Sequence, residues 1–312
     1  MTPPAPGPVA ALWRVATWNI RHGLGADGRV DLVRTAREIA ALGADVIGLQ
    51  EVDVAFGERS RGEDQAARLA AQLGLEVAFG AALEHPPTTV GAPPRRYGVA
   101  LLTRHHLETA QHHPLPDHPA AAPGEPRAVL VARVRRADGT ALDVLVTHLD
   151  HADPRHRTAQ VQGLVRRTDE LDPEVPAVLM GDLNADPAAP ELAALAATGW
   201  REAAGSARAA DESRPPASRR RDLLARRART GRAARVARSL ARRLGLVLRG
   251  GLPGARTGRP PAPDAPTHPS RLPLRRLDSM WVRGPIEVRA VRVGPRGSSD
   301  HRPVLALLAP RR

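Results

Sequence analysis

Apolar and polar positions change period several times along the chain, and each change predicts an element. Trp13 to Ile20 alternates as a strand does and stops at Arg21-His22-Gly23. From Asp31 to Leu42 the spacing is helical, with Leu32, Ala36, Ile39 and Ala40 on one face, Asp31 as N-cap and Gly43 as stop. Asp45 to Gln50 is a short apolar run of the buried-strand type that ends at Glu51. Strand, helix, strand is the opening of an α/β fold.

The same reading predicts strands at Gly98–Leu102, Ala128–Val134, Leu142–Thr147, Ala177–Met180, Leu277–Val282, Ile286–Val293 and Val304–Leu308. It predicts helices at Asp64–Leu73, Pro154–Glu170 and Pro190–Ala197. Turns such as Ala137-Asp138-Gly139-Thr140 force antiparallel pairing, so the sheet is mixed and a purely parallel doubly wound fold is disfavoured.

Composition narrows the class. The chain has 312 residues, 42% of them hydrophobic, which is too many for a wholly disordered protein and enough for one large domain with attachments. No apolar run approaches the roughly 18 residues of a membrane-spanning helix. The N-terminal residues lack the charged start and apolar stretch of a secretory signal, so a cytoplasmic location is expected. The absence of cysteine excludes disulfides, thiolate zinc sites and a cysteine nucleophile.

Charge is unevenly placed. Between Gly205 and Ala262 fall 16 of the 46 basic residues, all arginine, and 3 of the 33 acids, leaving the remainder of the chain with 30 of each sign. Residues 205–262 therefore read as an arginine-rich, partly disordered insertion in a catalytic domain of residues 13–204 and 263–309, preceded by a disordered tail, residues 1–12. Within the insertion, Val236, Leu240, Leu244 and Val247 recur at helical spacing opposite several arginines, the pattern of a cationic amphipathic helix. Three uses compete: holding nucleic acid, lying on an anionic membrane surface, or a solvated segment without a partner.

Several polar clusters sit where predicted strands end, which is where distant segments converge on a ligand. They supply carboxylates Glu51, Asp182, Asp278 and Asp300, amides Asn19 and Asn184, and imidazoles His148 and His301. Oxygen-rich donors without thiolate suit a hard cation, Mg²⁺ or Mn²⁺. Such a cleft without a Ser or Cys nucleophile suits attack by water on a phosphate ester. No phosphate-binding Gly-Lys-Ser/Thr loop, His-Glu-x-x-His or Gly-x-Ser-x-Gly occurs, which counts against nucleoside-triphosphatase, zinc-peptidase and serine-hydrolase chemistry. His105, His106, His112, His113 and His118 are expected at exposed strand or loop positions, and Arg157 and Gln160 as surface or structural residues.

In order, Thr17-Trp18-Asn19, Gln50-Glu51-Val52, Tyr97-Gly98, Thr147-His148-Leu149, Gly181-Asp182-Leu183-Asn184, Arg276-Leu277-Asp278 and Ser299-Asp300-His301 resemble the endonuclease/exonuclease/phosphatase superfamily over about residues 13 to 308. The resemblance implies a four-layer α/β sandwich, two packed mixed β-sheets flanked by helices, and metal-dependent cleavage of phosphoester bonds. It implies Glu51 as principal Mg²⁺ ligand, with Asn19 and Asp300 near the metal or its waters. Asp182 would orient or deprotonate the attacking water, and Asn184 would hold a phosphate oxygen. His301, oriented by Asp278, would face the scissile phosphate as base or stabiliser, and His148 would add a second donor. Arg127 and Tyr97 are further candidates for substrate contact.

The expected activity is Mg²⁺-dependent hydrolysis of phosphoester bonds, a diester slightly favoured over a monoester, with a nuclease-like enzyme narrowly ahead of a phosphatase or phosphodiesterase acting on lipid or inositol phosphates at a membrane surface. A catalytically inactive binding module is the non-enzyme alternative. The oligomeric state is left open.

Overall fold

The computed structural model describes residues 12–212 and 264–311. The expected tail, apart from Leu12, and the expected cationic helix near residues 232–249 lie outside the described residues.

The chain runs β1 (Trp13–Asn19), α1 (Leu32–Leu42), β2 (Val46–Val54), α2 (Gln65–Leu73), β3 (Glu76–His85), β4 (Arg95–Thr103), β5 (His106–Leu115), β6 (Arg127–Arg135) and β7 (Ala141–His148). It continues through α3 (Pro154–Thr168), β8 (Ala177–Asp182), α4 (Ala193–Ala197), β9 (Arg201–Glu202), α5 (Ala203–Glu212), β10 (Asp278–Arg283), β11 (Ile286–Val293) and β12 (Val304–Pro310). Two six-stranded mixed sheets result, ordered β11-β12-β1-β2-β4-β3 and β5-β6-β7-β8-β10-β9. Each has one parallel neighbour pair near its centre, β1 with β2 and β7 with β8.

Three apolar clusters make this a four-layer α/β sandwich. One, including Val15, Val46, Val146 and Met180, fills the space between the sheets. A second joins the first sheet to α1 and α2 through Ile39, Ile47 and Leu69. The third joins the second sheet to α3 and α4 through Val161, Leu164, Leu179 and Leu195. The sheets approach closely at Gly48 in β2, where a Cβ would lie 2.9 Å from Met180 Sδ and 3.0 Å from Val146 Cγ1. Only a residue without a side chain fits that gap unchanged.

The helix signals act as read: Asp31 accepts from the Arg34 N–H, and Gly43 closes α1 at φ 62°. Two expectations need correction. β2 does not end at Glu51 but runs on to Val54, interrupted by a bulge between Leu49 and Val52. The helix expected at Pro190–Ala197 is a 3₁₀ turn, Pro190–Leu192, followed by α4. Helix α5 starts at buried Ala203 and Ala204, just before residue 205. Strands β3 and β9 were not expected, and the stretch that forms β5 was read only as exposed strand or loop. All three are edge strands; β5 is exposed at most positions, β9 has only two residues, and β3 is a largely apolar run without a clean two-residue period.

Candidate active site

Pairing register explains why remote segments meet. Asn19 ends β1 beside Gln50 of β2. His148 ends β7 beside Asp182, the last residue of β8, and Asp278 opens antiparallel β10 opposite the same Asp182. The Ser299-Asp300-His301 segment enters β12, whose first residue, Val304, pairs with Thr17 of β1. All these positions share one edge of the sandwich, and both sheets contribute. A cleft of about 520 Å³ there is lined by Glu51, Tyr97, Arg127, His148, Asp182, Asn184, Asp300 and His301. Asn19 and Asp278 lie fully buried behind it. Thus eight of the ten expected site residues line one cleft, and the other two bond directly to it.

Asp182 Oδ2 is the hub. It accepts from Asn19 Nδ2 at 3.0 Å and lies 3.6 Å from both His148 Nε2 and His301 Nε2. The two imidazoles differ in charge. Burial works against a charged His301, but Asp278 and then Asp182 outweigh it and raise its pKa to about 10; Nδ1 donates to Asp278 Oδ2 at 2.8 Å. His148 is driven the other way, to about 3, by burial and then by the Arg127 guanidinium. Arg127 Nη1 lies 3.3 Å from His148 Nδ1 and Asn184 Nδ2 lies 3.1 Å from His148 Nε2; both can only donate, so a donor on each side of the ring disfavours its charged form. Asn184 Nδ2 donates to Leu149 O and lies 3.1 Å from His148 Nε2, so a phosphate oxygen held by that amide would compete with His148.

Glu51 reaches the cleft because of the bulge. Its φ of 57° turns it out of the strand's alternation, a left-handed conformation costing about 1–3 kcal/mol that the surrounding sheet must sustain. Asn19 Nδ2 also donates to Glu51 Oε1 at 2.9 Å, linking it to Asp182. Burial, then the charges of Asp182 and Asp300, raises the Glu51 pKa, although the Asn19 bond opposes this. A divalent cation fits this group of hard oxygen donors, since it would relieve the mutual repulsion of three carboxylates. Asp182, Asp278 and His301 also place ligand atoms within 4.8 Å of one another, close enough to hold a metal ion. Because His301 Nδ1 is bonded to Asp278 Oδ2 at 2.8 Å, the ligand atom it would offer is Nε2, 3.6 Å from Asp182 Oδ2.

The structure adds residues that motifs alone did not single out. Arg21 and His22 follow Asn19 after Ile20 and hold φ values of 49° and 43°; Arg21 lies 3.5 Å from Asp300. Glu125 pairs with Arg127 at 2.8 Å. Phe56, Leu83 and Tyr97 form an apolar wall, and Arg59, held by buried Asp53, stacks over Phe56 at 4.2 Å. His268 lies against His301, with ring centroids 4.6 Å apart. Adjacency to a motif could have flagged Arg21, His22 and Glu125; nothing near His268 in the sequence does so.

Residues discounted as ligands stay outside the cleft. His106, His112 and His113 lie on β5, and His118 donates its backbone N–H to His156. Arg157 and Gln160 are structural, as expected, but buried and not at the surface: Arg157 binds Glu191 and the Asp150 carbonyl, and Gln160 accepts from the Asp150 N–H. No helix among the described residues is long and apolar enough to cross a membrane.

Among solved structures, the fold resembles an endonuclease/exonuclease/phosphatase from Beutenbergia cavernae at a TM-score of 0.64 and 23% identity, over 96% of this chain and 72% of that one. It resembles the human Nocturnin catalytic domain with bound sulfate at 0.60 and 18%, over 96% and 93% of the two chains. A mannosyl-6-phosphatase of Bacteroides thetaiotaomicron gives 0.61 and 17%, over 95% and 99%. At these identities the likeness establishes the fold. No curated protein sequence matches the chain. Residues 16–301 match the profile of the Endonuclease/Exonuclease/phosphatase family, a span that begins at β1 and ends on His301. With that span, this fold and this cleft, the chain belongs to the endonuclease/exonuclease/phosphatase family and is a hydrolase of phosphoester bonds.

Proposed function

We propose that the chain is a Mg²⁺-dependent phosphodiesterase whose scissile phosphate sits between the Glu51–Asp182 carboxylates and the His301–His148 pair. The supporting observation is the convergence of two imidazoles on a single carboxylate oxygen, Asp182 Oδ2. When bound, the cation polarises a phosphoryl oxygen and makes bound water more acidic.

The side chains then divide the work. Asp182, held by Asn19, orients the attacking water and accepts its proton. His301 enters already charged, offers Nε2–H to the phosphoryl group and delivers that proton to the departing oxygen, while Asp278 keeps the ring in place. His148 supplies a second, neutral donor. Glu51 and Asp300, with Asn19 behind them, form the cation-holding end, and Asn184 fixes His148 until substrate arrives.

The wall of Phe56, Leu83 and Tyr97 supports a diester over a bare monoester, because it offers a surface to the second ester substituent. Aromatic rings and a stacked guanidinium suit a nucleobase, so nucleic acid is favoured over lipid or inositol phosphates. The test is turnover with Mg²⁺, Mn²⁺ or EDTA across plasmid DNA, RNA, a bis-aryl phosphate, an aryl phosphate, inositol phosphates and sphingomyelin. Mg²⁺-dependent release from diesters is expected. No turnover of any substrate would favour the binding-module alternative, and faster cleavage of monoesters would overturn the diester assignment.

A further inference from the structure

The proposed reaction requires the Nε2–H of His301 to point in one direction. Three bonds restrain this residue: Nδ1 donates to Asp278 at 2.8 Å, its N–H donates to Ser299 Oγ at 3.2 Å, and its carbonyl accepts from Trp18 Nε1 at 3.1 Å. Two of these fix the backbone and one fixes a single ring nitrogen. The ring can still swing about that one bond, and Nε2, at the far side, would move most.

His268 closes off that swing. Its ring centroid lies 4.6 Å from that of His301 with the planes tilted by 40°. Its own place is set by a short turn: Thr267 and His268 donate their N–H groups to Arg275 O, and Leu274 and Arg275 donate theirs to His268 O, all at 2.9–3.0 Å. The same turn is tied to both halves of the dyad. Thr267 Oγ1 accepts from the Asp278 N–H at 3.3 Å, the Arg302 N–H donates to Thr267 O at 3.0 Å, and Ser270 Oγ donates to Ser299 O at 2.7 Å. His268 Nδ1 is buried without a hydrogen-bond partner among the described residues. That nitrogen therefore gives no structural reason for a histidine here; the planar face does, and an imidazolium is attracted to such a face.

We propose that His268 is a positioning residue for His301, its ring face fixing the plane in which His301 presents Nε2–H to the scissile phosphate. The assignment rests on the phosphodiesterase reading, and its test has an arm that does not. His268→Ala removes the face, and His268→Phe restores a planar ring without nitrogens. With bis(p-nitrophenyl) phosphate and Mg²⁺, kcat of His268→Ala falls about 10- to 100-fold while KM stays within about threefold, since small misplacements of a reacting group cost rate and not affinity. His268→Phe recovers kcat to within about threefold of the parent.

The second arm follows the downfield Nδ1 proton of His301 by NMR in the protein without substrate. It broadens or shifts in His268→Ala and returns in His268→Phe. An unchanged kcat and an unchanged resonance in His268→Ala would overturn the proposal. So would a phenylalanine variant as impaired as the alanine one, which would assign the effect to the ring nitrogens. If the parent turns over no diester, the phosphodiesterase reading fails and the resonance alone decides the role of His268.

Discussion

Asp182 and Glu51 sit where repulsion and function are balanced. Asp182 is 1% exposed and its Oδ2 faces two imidazole nitrogens and one amide. Replacing it by Asn keeps the shape but removes the proton acceptor, and kcat for a phosphodiester is expected to fall about 10²- to 10⁴-fold. His301→Asn should cost a similar factor. Near-parental rates in either variant would remove the assigned roles. Glu51→Gln separates ion binding from folding: without divalent cation the variant should be at least as stable as the parent, because one of three crowded carboxylates has lost its charge. On adding Mg²⁺ the parent gains stability, about 2.7 kcal/mol at an ion concentration 100 times its Kd, whereas Glu51→Gln gains little. Thermal melts with and without Mg²⁺ decide this, and an equal gain in both proteins would place the ion elsewhere.

At the level of single elements, stability rests on local signals that can be removed one at a time. Asp31→Ala deletes the cap of α1 and should cost about 1 kcal/mol, read from a urea midpoint. Asp45, in the turn between α1 and β2, accepts from the Arg14 backbone and guanidinium and lies 3.2 Å from Arg104. Burial opposes its charge, yet these partners hold its pKa below the ordinary carboxylate value. Stability from such a group is complete above its unfolded pKa of about 4 and is lost as pH falls through the lower folded value. The Tm difference between parent and Asp45→Asn should therefore be widest at neutral pH and shrink below about pH 4. A constant difference would show that charge is not what Asp45 contributes. The cap and stop of α1 and the central strands were legible beforehand because such signals are written locally. Two features were not: β3, whose largely apolar run carries no clean two-residue period, and the bulge in β2, where the polar pair Gln50-Glu51 looks like a strand end although Val52 and Val54 return to the core.

For the whole molecule, the ordered motifs foretold which residues would meet, because each follows or opens a central strand and the register does the rest. They could not foretell the depressed pKa of His148, the bulge that aims Glu51, or the neighbour His268, since each depends on a contact between segments far apart in the chain. Charge belongs to this scale too. Outside residues 205–262 basic and acidic side chains balance, so polyanion binding should depend on that segment. A variant with residues 213–263 replaced by a short Gly-Ser linker should keep its rate on bis(p-nitrophenyl) phosphate and lose most of its salt-sensitive retention of DNA. Unchanged retention would move the contact to the catalytic domain, and a shift confined to anionic vesicles would favour the membrane instead.

The division of the site between two sheets has a mechanical consequence. Asn19, Glu51, Asp300 and His301 ride on one slab, and His148, Asp182 and Asp278 on the other, so the reacting groups are spaced by the thickness of the core between them. Gly48, where the slabs nearly touch, sets the gauge. One methyl there acts as a shim: Gly48→Ala, far from the cleft mouth, should slow hydrolysis more than it lowers Tm, in the way a warped hinge spoils a latch on an intact door.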